Sequence, residues 1–72
     1  MGAEKFDILV RGELGSMITD ELVGFDVVAR GDGSTRLRGE VPDQARLLGL
    51  LDLLRGLNVE IEAVTHLPDP SD

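Results

Sequence analysis

The segment "PDQARLLGLLDLLRGL" (residues 42–57) is rich in leucine and lies between two shorter segments, "RLRGEV" (residues 36–41) and "VEIEAV" (residues 59–64). Apolar residues at every third or fourth position predict a helix, whereas strict alternation predicts a strand with one buried face. Residues 36–64 are therefore expected to form a strand, a helix and a second strand.

The ends of this helix carry residues that helix termini favour. Pro42 suits the first helical position, where its missing N–H costs nothing. Asp43 suits either the N-cap or the first turn, because the helix dipole favours negative charge there. Arg55 lies in the last turn, and Gly56 or Asn58 can end the helix.

The first half of the chain contains two more alternating segments. "KFDILVRG" (residues 5–12) predicts a first strand and "FDVVAR" (residues 25–30) a second. "SMITDELVG" (residues 16–24) predicts a short helix, with Ser16 as its N-cap. "GDGST" (residues 31–35) predicts a hairpin turn, because Asp-Gly tolerates the positive φ of tight hairpins.

Alternation also predicts which side chains point towards the helices. The inward set comprises Phe6, Ile8, Val10, Phe25, Val27, Ala29, Leu37, Gly39 and Val41. The outward set comprises Asp7, Leu9, Arg11, Val28, Arg30, Arg36, Arg38, Glu40, Glu60, Glu62 and Val64. A glycine inside a strand, here Gly39, indicates a bulge or a close packing approach.

The predicted order is β-α-β-β-α-β, which is that of the α+β ferredoxin-like plait. In this fold two helices, here with a short first helix, cover one face of a four-stranded antiparallel sheet. The alternative drops the first helix and leaves a β-β-β-α-β sheet. We expect one compact domain over residues 1–66 and a flexible tail over residues 67–72, which contains two prolines.

The stretch from Gly39 to Leu57 resembles a set of small stand-alone bacterial proteins of uncharacterised function. They share the signature "G-x-V-x-D-Q-A-x-L-x-G-L-L-x-x-L-R-x-L", followed by an apolar strand. The matching residues here are Gly39, Val41, Asp43, Gln44, Ala45, Leu47, Gly49, Leu50, Leu51, Leu54, Arg55 and Leu57. The resemblance implies the same small α/β architecture and no particular activity.

Composition argues against several classes of function. Fourteen acidic and seven basic residues give a net charge of −7, which opposes binding to nucleic acid and to anionic membranes. Disulfides and thiolate zinc sites need cysteine, and the chain has none. The N-terminus lacks the pattern of a signal peptide. We therefore expect a cytoplasmic protein that binds neither nucleic acid nor membrane.

Polar side chains on the uncovered face of the sheet form one candidate cluster: Arg11, Arg36, Arg38, Glu60 and Glu62. RNA-binding plaits stack bases on aromatic residues at this face, and no outward residue here is aromatic. Since the fourth strand is expected beside the first, Arg11 is predicted to pair with Glu60 or Glu62. These two carboxylates and His66, predicted on one side of the fourth strand, do not complete a metal site.

The leucine-rich helix has more apolar surface than one sheet needs. Leucines 47, 50, 51, 54 and 57 fall within an arc of about 120°, whereas Leu48 and Leu53 flank it. In one interpretation, one flank of this helix packs against the short first helix. The other places Leu48 or Leu53 at a contact with a subunit or partner, where Gly49 allows close approach.

Two functions remain open. The first is a small non-enzymatic accessory or regulatory module that acts through self-association, as a homodimer, or through a protein partner. The alternative is a dimeric plait that binds a ligand, or catalyses a reaction without a cofactor, in an apolar pocket between sheet and helices. The sequence indicates no catalytic, metal or cofactor residues and favours the first function. A small-molecule ligand has no support in the sequence.

Overall fold

The computed structural model describes residues 3–68 of the 72-residue chain, apart from the side chain of Ser16. These residues form an α+β fold with a four-stranded antiparallel sheet and two helices, as predicted. The elements in chain order are β1 (Glu4–Arg11), α1 (Ser16–Thr19), β2 (Phe25–Gly31), β3 (Ser34–Val41), α2 (Gln44–Gly56) and β4 (Ile61–Leu67).

The strands lie in the order β2-β3-β1-β4, and each neighbouring pair is antiparallel. Helix α1 contacts β2, and α2 contacts β3 and β4. The face that the helices cover, termed the covered face, contains the core residues Ile8, Val10, Leu14, Leu22, Phe25, Leu37, Val41, Leu47, Leu54 and Val59. The opposite face of the sheet is termed the open face.

The turn between β2 and β3 has the predicted two-residue geometry. Gly31 pairs with Ser34, and between them Asp32 and Gly33 have φ angles of 53° and 75°. Positive φ at both central residues matches the right-handed twist of the flanking strands. The Asp-Gly prediction is therefore confirmed.

Gly39 marks a close approach between strands, which was one of the two possibilities predicted for it. A Cβ atom at this position would lie 2.6 Å from Cγ of Phe25 and closer still to the carbonyl oxygen of Gly24. Gly39 pairs with Phe6 on one side and Phe25 on the other. The missing side chain thus makes room for the Phe25 ring on the covered face.

Helix α2 begins later than predicted. Asp43 is its N-cap, and Oδ1 of Asp43 accepts a hydrogen bond of 2.8 Å from the amide of Arg46. Pro42 precedes the cap, so its predicted place at the first helical position is wrong. A carboxylate at the N-cap satisfies an amide that has no partner within the helix, which explains why Asp43 and not Pro42 sets the boundary.

The end of α2 is fixed by a left-handed residue. Asn58 has a φ of 62°, and its amide donates to the carbonyl of Arg55 at 3.0 Å. The amide of Val59 donates to the carbonyl of Leu54 at 2.9 Å. The side chains of Val59 and Leu54 are both buried. This pair of hydrogen bonds with its apolar contact is the Schellman arrangement, in which Asn substitutes for the usual glycine.

Helix α1 is a single turn and is shorter than the predicted residues 16–23. The amides of Ile18 and Thr19 donate to the carbonyl of Gly15, and the chain then turns towards Leu22. Leu22 is buried, whereas Met17 and Val23 are 84% and 74% exposed, so these two apolar side chains do not join the core. The prediction that Ser16 caps the helix concerns a side chain outside the described part.

Two register shifts change the face on which predicted residues lie. One lies between Val27 and Ala29, and it pairs Ala29 with Arg36 of the open face, so the inward prediction for Ala29 is wrong. The other lies opposite Leu9 and Val10 and pairs Val64 with Ile8, so the outward prediction for Val64 is wrong. A register shift reverses the parity that simple alternation assumes.

The last strand includes residue 67, which the sequence had placed at the start of a tail. Leu67 pairs with Lys5 and is partly buried. Residues 69–72, where the rest of the predicted tail falls, lie outside the described residues.

Candidate functional site

Asp7 occupies the middle of the open face. It faces Arg38 on β3 and Thr65 on β4. Nη2 and Nε of Arg38 lie 2.9 and 3.3 Å from Oδ2 of Asp7, and Nη1 of Arg36 lies 3.6 Å from Oδ1. The Asp7 side chain is 7% exposed, whereas both arginines are nearly half exposed. The guanidinium groups therefore cover the carboxylate and separate it from water.

This Asp7 cluster (Asp7, Arg36 and Arg38) has a structural explanation. A buried carboxylate is costly unless positive groups hydrogen-bond to it. Among the residues described, no buried side-chain nitrogen or oxygen lacks a hydrogen-bond partner. The two arginines thus compensate Asp7, and Arg38 directs two nitrogens to it.

Arg11 forms a second group of charges at one end of the open face. Its Nε lies 2.9 Å from Oε2 of Glu60, and its Nη2 lies 3.6 Å from Oε2 of Glu62. The hydroxyl of Ser34 donates to Oε1 of Glu62 at 3.2 Å. The predicted pairing of Arg11 with Glu60 or Glu62 is confirmed, with both acids involved. This Arg11 cluster is largely exposed, and exposed ion pairs contribute little stability.

The five polar residues expected to form one cluster therefore divide between two separate groups. Arg36 and Arg38 form ion pairs with Asp7, whereas Arg11 forms ion pairs with Glu60 and Glu62. The Asp7 cluster holds two arginines for one carboxylate and the Arg11 group one arginine for two carboxylates, so the six side chains together are neutral. Each arginine has a carboxylate within 4 Å, and neither group presents a row of unpaired cations to a ligand.

His66 does not line up with Glu60 and Glu62 as predicted. The register shift places it opposite Phe6 on the covered face, with the two ring centroids 4.9 Å apart. Its Nε2 lies 3.9 Å from Oε1 of Glu4. No group of three His, Cys, Asp or Glu residues in the described range is placed to hold a metal ion.

On helix α2, the two flanking leucines differ. Leu48 is 54% exposed, whereas Leu53 is partly buried and packs against the core. A Cβ atom built on Gly49 would meet no heavy atom within 4 Å, so the surface beside Leu48 is open to a neighbour. Of the predicted interface residues, Leu48 and Gly49 are therefore accessible and Leu53 is largely used by the fold.

Two depressions are described on the open face. The larger, about 580 Å³, is lined by Lys5, Asp26, Arg38 and Glu40 among others. The smaller, about 250 Å³, lies near Leu9, Ala29 and Arg36. Both are open to solvent and mix charges of both signs. Neither occupies the space between sheet and helices where the alternative function places a pocket.

Sequence reasoning missed the structural role of Thr35, which it assigned to the hairpin turn. Thr35 is fully buried. Its hydroxyl donates to the carbonyl of Gly12 at 2.7 Å and accepts from the amide of Leu14 at 3.4 Å. Thr35 therefore ties the loop after β1 to β3. Its position two residues before Leu37, on the same face, was the available signal.

None of the helices within residues 3–68 has the length and apolar character needed to cross a bilayer.

Comparison with known proteins gives one family. The family model described as Domain of unknown function (DUF8691) matches residues 5–65. Neither the curated proteins nor the solved structures contain a significant match. The matched range runs from the first residues of β1 into β4 and includes both clusters of the open face. The chain accordingly belongs to the DUF8691 family.

Proposed function

We propose that this protein is a non-enzymatic interaction module, an accessory or regulatory protein that acts by self-association or by binding a protein partner. The observation that carries the proposal is the exposed apolar surface of α2 at Leu48 and Gly49. Leu48 is more than half exposed on a helix whose other face already fills the core. A small domain gains stability by burying such surface against another chain.

The charged side chains support binding to protein in preference to chemistry. The buried carboxylate, Asp7, is already hydrogen-bonded to arginine. Catalytic sites usually hold a titratable group in a cleft with its reactive atoms accessible. The larger depression on this face is open to solvent, and Arg38, which lines it, is engaged by Asp7.

The strand order and the antiparallel pairing support assignment of this fold to the ferredoxin-like plait, which we propose as its class. The stretch from Gly39 to Leu57 supports a relationship to small bacterial proteins of the same signature. We also propose a cytoplasmic location, which fractionation of the native cells with an antibody against the chain would test.

The proposal is tested by the mass of the protein in solution. We expect sedimentation and light scattering of the purified full chain to give a mass above that of one copy at micromolar concentration, or the intact complex from native cells to contain a stoichiometric protein partner. A monomer that purifies alone from those cells would contradict the proposal.

The helix surface is tested by Leu48→Glu, which places a charge on the exposed patch. Met17→Glu is the matched control, because Met17 is also exposed and apolar but lies on α1. If the Leu48 surface forms the contact, Leu48→Glu abolishes assembly and Met17→Glu retains it, while the circular dichroism spectra of both variants stay those of the folded native chain. Equal assembly of both variants would exclude Leu48 from the contact.

A further inference from the structure

The two edge strands of the sheet differ in how they are protected. An edge strand exposes unpaired main-chain groups, and natural proteins protect it with charges, bulges or prolines. Strand β2 has such protection, since Asp26 and Arg30 lie within it and a register shift follows Val27. It is therefore poorly suited to pair with another strand.

Strand β4 carries Glu62 and a register shift at its start, but it has no such protection over residues 63–67, "AVTHL". This segment contains no carboxylate, lysine, arginine or proline, and it keeps a regular register from Ala63 opposite Leu9 to Leu67 opposite Lys5. Residues 63–66 are exposed. Val and Thr favour the extended conformation. The described residues provide no strand on its outer side, where the sheet ends.

The pairing with β1 shows which main-chain groups of β4 point outwards. The amide of Arg11 donates to the carbonyl of Glu60 at 2.8 Å, so the odd-numbered residues of β1 direct their main-chain groups towards β4. The main-chain groups of their partners on β4, which are Ala63, Thr65 and Leu67, point back towards β1. In an antiparallel ladder alternate residues point to opposite sides. Val64 and His66 therefore direct their N–H and C=O groups away from the sheet.

We propose that β4 pairs antiparallel with β4 of a second copy of this chain, about a two-fold axis at Thr65. The inference rests on the proposed self-association and places the contact between copies at β4 instead of at the Leu48 surface of α2. Val64 then exchanges two main-chain hydrogen bonds with the partner's His66, and His66 does the same with the partner's Val64. The two sheets become one sheet of twice as many strands.

The segment is complementary to itself in this register. Thr65 faces the partner's Thr65, a cross-strand pair that stabilises sheets. Ala63 faces the partner's Leu67, so apolar meets apolar, and no two like charges are opposed. Pro68, which lacks an N–H, ends the pairing on each side.

Charge favours this edge over other surfaces as the place where two copies of the chain meet. Each chain carries a net charge of −7, so two copies repel one another. A contact between copies therefore requires a surface free of carboxylates, as residues 63–67 are. Val64, an apolar side chain of β4 that the fold leaves about 40% exposed, gains burial in the pair.

The register is tested by cross-linking, since the chain has no cysteine of its own. Thr65→Cys places one thiol on the axis, where residues directly opposite have Cβ atoms about 4.5–5.5 Å apart. Ala63→Cys is the control, because its thiol lies on the same face but two residues from the axis. We expect mild oxidation to convert Thr65→Cys to a covalent dimer on the order of tenfold faster than Ala63→Cys. Equal rates, or a faster Ala63→Cys, would overturn the pairing.

A second experiment separates this inference from the proposed function. Val64→Pro removes an outward N–H while keeping the pairing with β1, whereas Leu48→Glu alters the helix surface. Edge pairing predicts that sedimentation finds Val64→Pro monomeric and both Leu48→Glu and the native chain dimeric. A dimeric Val64→Pro with a monomeric Leu48→Glu would overturn edge pairing and leave self-association intact. A monomeric native chain that associates only with another protein would overturn edge pairing alone, whereas one that binds nothing would overturn both.

Discussion

On the covered face, β1 buries Ile8 and Val10 in one cluster with leucines of α2, whereas on the open face it buries Asp7 beneath two arginines. Both faces thus exclude water from the centre of the same strand. The first does so with apolar side chains that pack against one another. The second uses the long stems of arginine, whose charged ends reach the carboxylate and whose outer atoms stay in water.

The difference teaches that an uncovered sheet face need not be a binding face. At the centre of the open face the two arginines cover Asp7 without help from another molecule, while the Arg11 cluster at the end of the face stays exposed. Substitutions on the two faces should therefore differ in size and in their response to salt. All four measurements below are comparisons at one protein concentration, because stability depends on concentration when copies associate.

The largest effect is expected from Leu54→Ala on the covered face. Leu54 is completely buried, and its removal leaves a cavity among Ile8, Leu37 and their neighbours. We expect the free energy of unfolding in urea to fall by about 2–5 kcal/mol. Gln44→Ala, at an exposed position of the same helix, serves as the control with little change. Similar losses of unfolding free energy for Leu54→Ala and its control would mean that α2 does not pack on the sheet as described.

Gly39→Ala tests the covered face by adding volume. The new methyl group would overlap the Gly24 carbonyl oxygen and the Phe25 ring, so we expect a loss of about 1–3 kcal/mol, measured by urea unfolding. Gly56→Ala is the matched control, because that position of α2 is open and alanine favours a helix by roughly 0.5–1 kcal/mol over glycine. A neutral Gly39→Ala would show that β2 and β3 separate easily.

Asp7→Asn keeps the shape of the side chain but leaves Arg36 and Arg38 without their anion. We expect the free energy of unfolding to fall by about 1–3 kcal/mol, less than for Leu54→Ala. The loss should persist in high salt, since buried pairs are weakly screened. Asp52→Asn, at an exposed carboxylate of α2, controls for the change of charge. A loss that disappears in salt would mean that Asp7 is accessible to solvent.

The smallest effect is expected from Arg11→Met, which removes the exposed pairs with Glu60 and Glu62. Exposed pairs contribute at most about 1 kcal/mol, and salt should reduce that contribution further. Thermal unfolding at low and high salt checks both statements. A loss larger than that of Asp7→Asn would reverse the ranking of the two clusters.

Most of the helices and strands could be predicted from the sequence, because local patterns determine them. Alternation in β1 and β3, the Asp-Gly turn and the capping Asp43 each have a physical signature that a short segment contains. The register shifts in β2 and β4 have none, because they depend on how two distant strands fit. They moved Ala29, Val64 and His66 to the opposite face.

The candidate site was less predictable for the same reason. The spacing of Arg36 and Arg38 placed them on the open face correctly, but their partner Asp7 lies more than twenty-five residues earlier in the chain. Alternation identifies the face of a residue and not its neighbour on the next strand. The exposure of Leu48 and the partial burial of Leu53 depended on where α2 lies over β3 and β4, which helical periodicity alone does not fix.

The strand order also has a consequence for the time course of folding. Strand β1 lies between β3 and β4 in the sheet, and both of these partners come later in the chain, β3 from residue 34 and β4 from residue 61. Contacts between distant segments slow folding because a long loop must close first. During synthesis at about 5–20 residues per second, β1 waits several seconds for β4. Until then its apolar residues lack their final partners, and the domain is completed only after Leu67 has emerged.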